Sequence, residues 1–282
     1  MTSNAHPRRR VLGGLLAAGT ATLTGVSATT ASADSPAGSG PKPTIVLVHG
    51  VFADASGWND TIARLQKAGF PVIAPANPLR DLAHDSAYVS SVVDTLTGPV
   101  ILVGHSYGGE VITNAGRGHA NVKALVYVGA FAPDEGESAL QLAGMFPGSE
   151  LEGALLTRPF PLPAPLPDGT RFGIDGYIDP AKFHDVFAGD LPHSTTRVMA
   201  AAQRPGSVGG LASGSGVPAW KSLPSWFVIP TADKVIPAEL QRFMARRAGS
   251  TTVEVRGASH VVMMSRPDVV VRQILAAHRA TR

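Results

Sequence analysis

A serine, an aspartate and a histidine in this sequence each follow a short apolar run, and together they are the residue types that nucleophilic catalysis needs. Ser106 lies in Gly104-His105-Ser106-Tyr107-Gly108-Gly109. The run before it, Val100-Ile101-Leu102-Val103, reads as a buried parallel strand. The residues after it, Glu110 to Ala115, continue as a helix. The pattern G-x-S-x-G on a strand–turn–helix exposes a serine Oγ at the apex of a strained turn. Gly104 and Gly108 leave room where strand and helix cross. The backbone N–H of Tyr107, at the helix start, is placed to face a developing oxyanion.

A serine hydroxyl is a weak nucleophile at neutral pH. It needs a base and a third group that orients the base. His260, in Gly257-Ala258-Ser259-His260, stands just past the last predicted strand. Asp233, in Pro230-Thr231-Ala232-Asp233-Lys234, stands past the strand before it. Asp134 and Glu135 follow another predicted strand and compete with Asp233 for the acid role, whereas Asp94 and Asp268 read as cap or surface groups. Of nine histidines, His260 alone ends a strand in the expected place. His49 and His105 flank the site turns and are expected to orient backbone. His84, His119, His184, His193 and His278 read as surface, loop or helix-packing residues. No H-E-x-x-H or similar spacing appears, so neither a metal nor a cofactor is expected.

The elements that carry these residues alternate. Apolar runs at 44–48, 70–74, 100–103, 122–128, 226–229 and 252–255 read as strands. Between them, Trp58, Ile62 and Leu65 mark a helix closed by Gly69. Tyr88, Val92, Val93 and Leu96 mark a second, with Asp85 or Ser86 as its cap. Further helices are expected over 237–247 and 267–278. Strands alternating with helices predict a parallel sheet covered on both faces, with a site beyond the carboxyl ends of the strands. His49-Gly50-Val51-Phe52 and the serine turn both lie there. The alternation fails between about 131 and 218, a stretch holding 11 of the 23 prolines. This reads as an insertion lying over the site, a cap without a core of its own, with a short helix near 181–187. The Gly-rich stretch 209–216 is not expected to open a helix after a strand, so it is not a nucleotide loop.

Composition sets outer bounds. A chain of 282 residues with 44% hydrophobic content suits one α/β domain, residues 44–282. The absence of cysteine excludes disulfides, thiolate metal sites and a cysteine nucleophile. Residues 1–33 contain Arg8, Arg9 and Arg10 and no acidic residue; without them the chain carries 21 basic and 21 acidic residues. The net positive charge therefore does not point to nucleic acid. Arg8-Arg9-Arg10-Val11-Leu12, a mildly apolar stretch, and Ala31-Ser32-Ala33 predict a twin-arginine export signal cleaved after Ala33, with 34–43 as a flexible tether. The stretch is too short and diluted to make a stable membrane anchor. Nothing in the sequence specifies an oligomeric state.

The serine turn, the His49-Gly50 turn, Asp233-Lys234-Val235-Ile236-Pro237 and Gly257-Ala258-Ser259-His260 together resemble the α/β-hydrolase superfamily, with its chain order Ser, Asp, His. His49-Gly50-Val51-Phe52-Ala53-Asp54-Ala55-Ser56-Gly57-Trp58 is similar to bacterial relatives of the plant methylesterase and hydroxynitrile lyase group. The resemblance covers about 43–280 and is weak across the cap. It implies a mostly parallel eight-stranded sheet and a serine-esterase mechanism acting on a small-molecule ester. By it, Val51 N–H is the second oxyanion donor. Phe52, with Trp58 and Tyr107, is a candidate for the substrate pocket, although the spacing of Trp58 favours helix core. The plant lyases carry a threonine after the first histidine and a lysine after the catalytic one; here these are Gly50 and Val261. Val261 supplies no positive charge for departing cyanide, which favours ester hydrolysis over cyanide release. Perhydrolase or acyltransferase chemistry on the same acyl-enzyme, and a ligand receptor on the same fold, stay open as alternatives.

Overall fold

The computed structural model describes residues 40–282. The expected export signal, and the tether as far as residue 39, lie outside them. The chain enters the sheet at β1 (Thr44–Val48), turns through a short 3-10 segment (Ala55–Trp58) and continues as α1 (Asn59–Lys67). Gly69, at φ +77°, ends this helix, and Phe70 N–H donates to Leu65 O, so the last carbonyls of the helix are satisfied by the reversing chain. Then come β2 (Val72–Ile73), α2 (Leu82–Asp94), β3 (Val100–Ser106), α3 (Tyr107–Ala115) and β4 (Val122–Ala130).

Asp81 caps α2, accepting from the N–H groups of Ala83 and His84, so the helix starts before the expected cap. Asp85 sits inside the first turn and points into the protein. There its carboxylate accepts from Arg80 N–H and from the Tyr107 hydroxyl.

The cap lies between β4 and β8 (Ser225–Pro230). It contains α4 (Ala139–Ala143), β5 (Leu155–Pro161), β6 (Phe172–Ile178), α5 (Phe183–Phe187), α6 (His193–Ala202), β7 (Gly206–Ser207) and α7 (Val208–Ala212). The three strands form a separate antiparallel sheet, and apolar side chains such as Ile178, Phe183 and Phe187 join the same buried cluster as the main sheet. One expectation fails here. The Gly-rich stretch does follow a short strand into a short helix, because the Ser207 side chain accepts from Gly210 N–H and caps α7. The chain closes with α8 (Ala238–Arg247), β9 (Thr251–Val255), α9 (Val262–Ser265) and α10 (Pro267–Ala280).

The main sheet runs β2-β1-β3-β4-β8-β9, every pair parallel. Among the described residues it has six strands rather than eight. The figure of eight came with the family resemblance. The continuous apolar runs in the sequence number six, and each of them forms one of these strands. Residues of β3 and β8 are buried throughout, as a sheet covered on both faces requires. Strand order reverses between β1 and β3: the chain moves outward from β1 to β2, then returns to the other side. A crevice forms outside the carboxyl ends at such a reversal. The His49–Phe52 turn and the serine turn border it.

Candidate active site

Ser106 adopts φ 55°, ψ −127° at the junction of β3 and α3, a conformation that side chains rarely occupy. Its neighbours enforce it. An ideal Cβ on Gly104 would lie 2.4 Å from Gly108 O, and one on Gly108 would lie 2.3 Å from Val48 O. Only glycine lets helix and strands approach this closely. Ser106 is 1% exposed, and a Cβ on Gly50 would meet Ser106 Cβ at 2.6 Å and Oγ at 3.1 Å. The hydroxyl therefore lies against the Gly50 turn.

His260 and Asp233 are brought together from the ends of β9 and β8. His260 Nδ1 donates to Asp233 Oδ2 at 2.8 Å, with both side chains at 0% exposure. A carboxylate only accepts, so Nδ1 carries a proton, and in the neutral ring Nε2 is the atom that presents a lone pair. Nε2 is buried and has no hydrogen-bond partner among the described residues, so it is not bonded to Ser106 Oγ. Such contacts are often open in a substrate-free site, and a serine χ1 has three staggered wells to reach across. His105, next to Ser106, holds His260 nearby: its Nε2 donates to His260 O at 3.0 Å, and the two rings lie 4.6 Å apart.

The strand pairing makes room for this pair. Between β3 and β4 the register slips, so that His105 faces Val128 and Ser106 faces Ala130. Gly129, at φ +52°, is the extra residue. A Cβ there would lie 3.1 Å from His260 O and 3.7 Å from Asp233 Oδ2. Sequence reasoning missed this residue, although a lone glycine late in a strand signals a bulge or a close backbone approach.

His49 sets the opposite wall. Its Nε2 accepts from Asn77 N–H at 3.0 Å, so Nδ1 carries the proton and donates to Gly50 O at 2.9 Å. The trans Gly50–Val51 peptide then turns the Val51 N–H away from the imidazole. Among the described residues that N–H has no hydrogen-bond partner, whereas the next one, on Phe52, donates to Arg204 O. Tyr107 N–H begins α3, and its ring is anchored by the hydroxyl bond to buried Asp85 at 2.9 Å. Burial lowers the pKa of His49, and burial together with neighbouring His260 lowers that of His105 further, so both stay neutral. Asp134 lies elsewhere, paired with Lys221, and its backbone N–H meets Glu137; neither it nor Glu135 reaches His260.

The cap closes over these groups. The Phe187 ring lies 5.1 Å from that of His260 and 6.2 Å from that of Phe52. Ser259 donates to Asp190 of the cap. Between cap and sheet is a cavity of about 50 Å³, lined mainly by apolar residues such as Phe52, Met199, Val261 and Met263, with Asp54 and Gln203 among its polar members. Phe52 is one of its walls. Trp58, at 0% exposure, belongs to the core and packs edge-on against His105. Among the described residues no group of three or more potential ligands could hold a metal, and no helix is long and apolar enough to cross a membrane.

The alpha/beta hydrolase family pattern matches residues 45–273. The chain belongs to this family. Over 110 residues the chain is 38% identical to a carbendazim-hydrolyzing esterase from Nocardioides, a match covering 34% of this chain and 46% of that one. The chain thus spans about half the length of this relative. Among solved structures it is similar to polyneuridine aldehyde esterase, at 21% identity and a TM-score of 0.71 over 84% of this chain and 99% of that one. It is also similar to a methylesterase from Arabidopsis, at 18% identity and a TM-score of 0.68 over 84% and 99%. These likenesses agree with the plant methylesterase resemblance of the sequence and, at such identities, establish the fold.

Behind the serine turn, α3 buries Glu110 at 0% exposure with neither carboxylate oxygen hydrogen-bonded to a described residue. Burial holds its pKa well above the ordinary carboxylate range. The folded protein therefore keeps a proton here that the unfolded chain releases above about pH 4.3. This contribution to stability is full below that value and falls as pH rises toward the folded pKa, by up to about 1.4 kcal/mol per pH unit. Glu110→Gln is expected to melt close to wild type near pH 4 and at a higher temperature than wild type at pH 8. Thermal unfolding across that range measures the difference.

Proposed function

We propose that this hydrolase cleaves small or medium neutral carboxylic esters through an acyl-enzyme on Ser106. The observation that carries the reading is the sealed Asp233–His260 pair, whose free Nε2 lone pair is held beside the serine turn by His105. In this mechanism Ser106 Oγ rotates to His260 Nε2 and gives up its proton while attacking the ester carbonyl. Asp233 keeps Nδ1 protonated and stabilises the imidazolium. The N–H groups of Val51 and Tyr107 donate to the carbonyl oxygen as it becomes anionic, each worth about 3 kcal/mol in the transition state. His260 then protonates the departing alcohol. Water, deprotonated by His260, attacks the acyl carbonyl and releases the acid, and the proton returns to Ser106 Oγ.

The cavity supports the choice of substrate. Its phenylalanine, methionine, alanine and valine walls offer an apolar side chain dispersion contacts, and Asp54 at its edge disfavours a carboxylate. With Ser106 and His260 almost fully covered, the cap must move for the ester to reach the serine. In this reading the protein is exported through the twin-arginine signal, and the mature chain begins at Asp34.

The test uses the purified protein with p-nitrophenyl acetate, butyrate and octanoate, alongside labelling by a fluorophosphonate probe. Turnover favouring the short esters, with labelling at Ser106, is the expected result. Absence of both overturns the reading. Labelling without turnover of any ester replaces it with a ligand receptor on the same fold. N-terminal sequencing of protein from the culture medium checks the export part.

A further inference from the structure

The Asp233 carboxylate accepts four hydrogen bonds. Oδ1 receives the N–H groups of Val235 and Ile236 at 2.8 and 2.9 Å. Oδ2 receives His260 Nδ1 at 2.8 Å and Gln241 Nε2 at 2.9 Å. Gln241 lies on α8 at 0% exposure, and the same nitrogen donates to Ile236 O at 2.7 Å. Both partners of that nitrogen are acceptors, which fixes the amide orientation: a flip would set Oε1 against two oxygens. Oε1 is left buried without a partner among the described residues.

An unpartnered buried acceptor weakens a fold. Leu240, Met244 and Ala245 surround this position on the helix, all buried, and an apolar side chain there would avoid the orphan oxygen. Packing alone does not explain the amide, but the carboxylate does. We propose that Gln241 is a positioning residue for the acid–base pair, holding Asp233 Oδ2 toward His260 Nδ1. This rests on the serine-hydrolase reading above.

Two effects follow. The amide completes a four-donor cradle that stops the carboxylate rotating about Cβ–Cγ. It also draws charge from the oxygen that stabilises the imidazolium, which keeps His260 ready to return its proton to the leaving alcohol. Other ionisable groups nearby are His105, its ring tilted against that of His260; Asp190, bonded to Ser259; and Lys234, exposed and paired with Glu150. None of these donates to Asp233.

Gln241→Met keeps the volume and removes the donor. With p-nitrophenyl butyrate, kcat is expected to fall about tenfold while KM changes less than about twofold. The acid limb of kcat/KM is expected to move up by about half a pH unit, because the freed carboxylate holds the imidazolium more tightly. The thermal midpoint is expected to stay near wild type. A purely structural glutamine would lower the midpoint and leave the acid limb in place. Gln241→Glu, nearly isosteric, loses its donor on ionising, so at pH 8 it is expected to lose at least as much kcat as the methionine variant. A folded variant with wild-type kcat and an unmoved acid limb overturns the inference and leaves the hydrolase reading intact. A wild type that neither turns over nor labels overturns the hydrolase reading itself.

Discussion

Ser106→Ala is expected to lower kcat by on the order of 10⁵-fold, with KM within a few-fold of wild type and fluorophosphonate labelling abolished. The magnitude follows from what the alanine keeps. The Val51 and Tyr107 N–H groups, the cavity and the Asp233–His260 pair remain, so substrate binds and its carbonyl is still polarised. Covalent attack is gone. Water has to replace the hydroxyl without an acyl-enzyme, which leaves only the residual catalysis of binding and oxyanion donors. The alanine Cβ meets the same φ of 55° as the serine, so backbone strain at the turn is unchanged. Folding should be preserved, and the thermal midpoint checks it. Retention of more than about one per cent of kcat would show that a different group attacks the ester.

Asp233→Asn is expected to lower kcat by on the order of 10⁴-fold. The reason lies in the four donors that converge on this carboxylate. An asparagine matches the N–H groups of Val235 and Ile236 by placing its oxygen at Oδ1. Its NH₂ then faces Gln241 Nε2 and His260 Nδ1. To avoid opposing donors, His260 shifts its proton to Nε2 and accepts at Nδ1. The base then presents an N–H to Ser106 in place of a lone pair. The substitution also leaves Gln241 without its carboxylate, which costs about 1–3 kcal/mol of stability. Activity assays and denaturant unfolding on the same preparation separate the two losses. A folded variant with near-wild-type kcat would remove Asp233 from the mechanism and reopen the choice of acid.

Much of this was legible in local patterns. Strands buried on both faces need continuous apolar runs, so each run from Thr44–Val48 to Thr252–Val255 announced itself. The serine turn was legible because only glycine tolerates the contacts at Gly104 and Gly108. The cap of α2 is Asp81 rather than Asp85 or Ser86, and residue type alone does not separate them because all three can cap a helix. The choice fell to Asp81 once Tyr107, distant in sequence, claimed the Asp85 carboxylate. Gly129 and Gln241 left no periodic signal. Each matters through one contact with a residue that another strand end delivers.

By itself the sequence determined the strand and helix segments, the strained serine turn and the candidates for its partners, since each depends on neighbouring residues and their steric limits. Tertiary structure decided which strand ends are adjacent, that Asp233 rather than Asp134 meets His260, and that Phe187 of the cap lies against the His260 ring. Those outcomes depend on sheet order and on contacts such as His105 to His260, 155 residues apart. Segment patterning carries no record of such distances, because pairing across the sheet is set by the packing of all the strands at once.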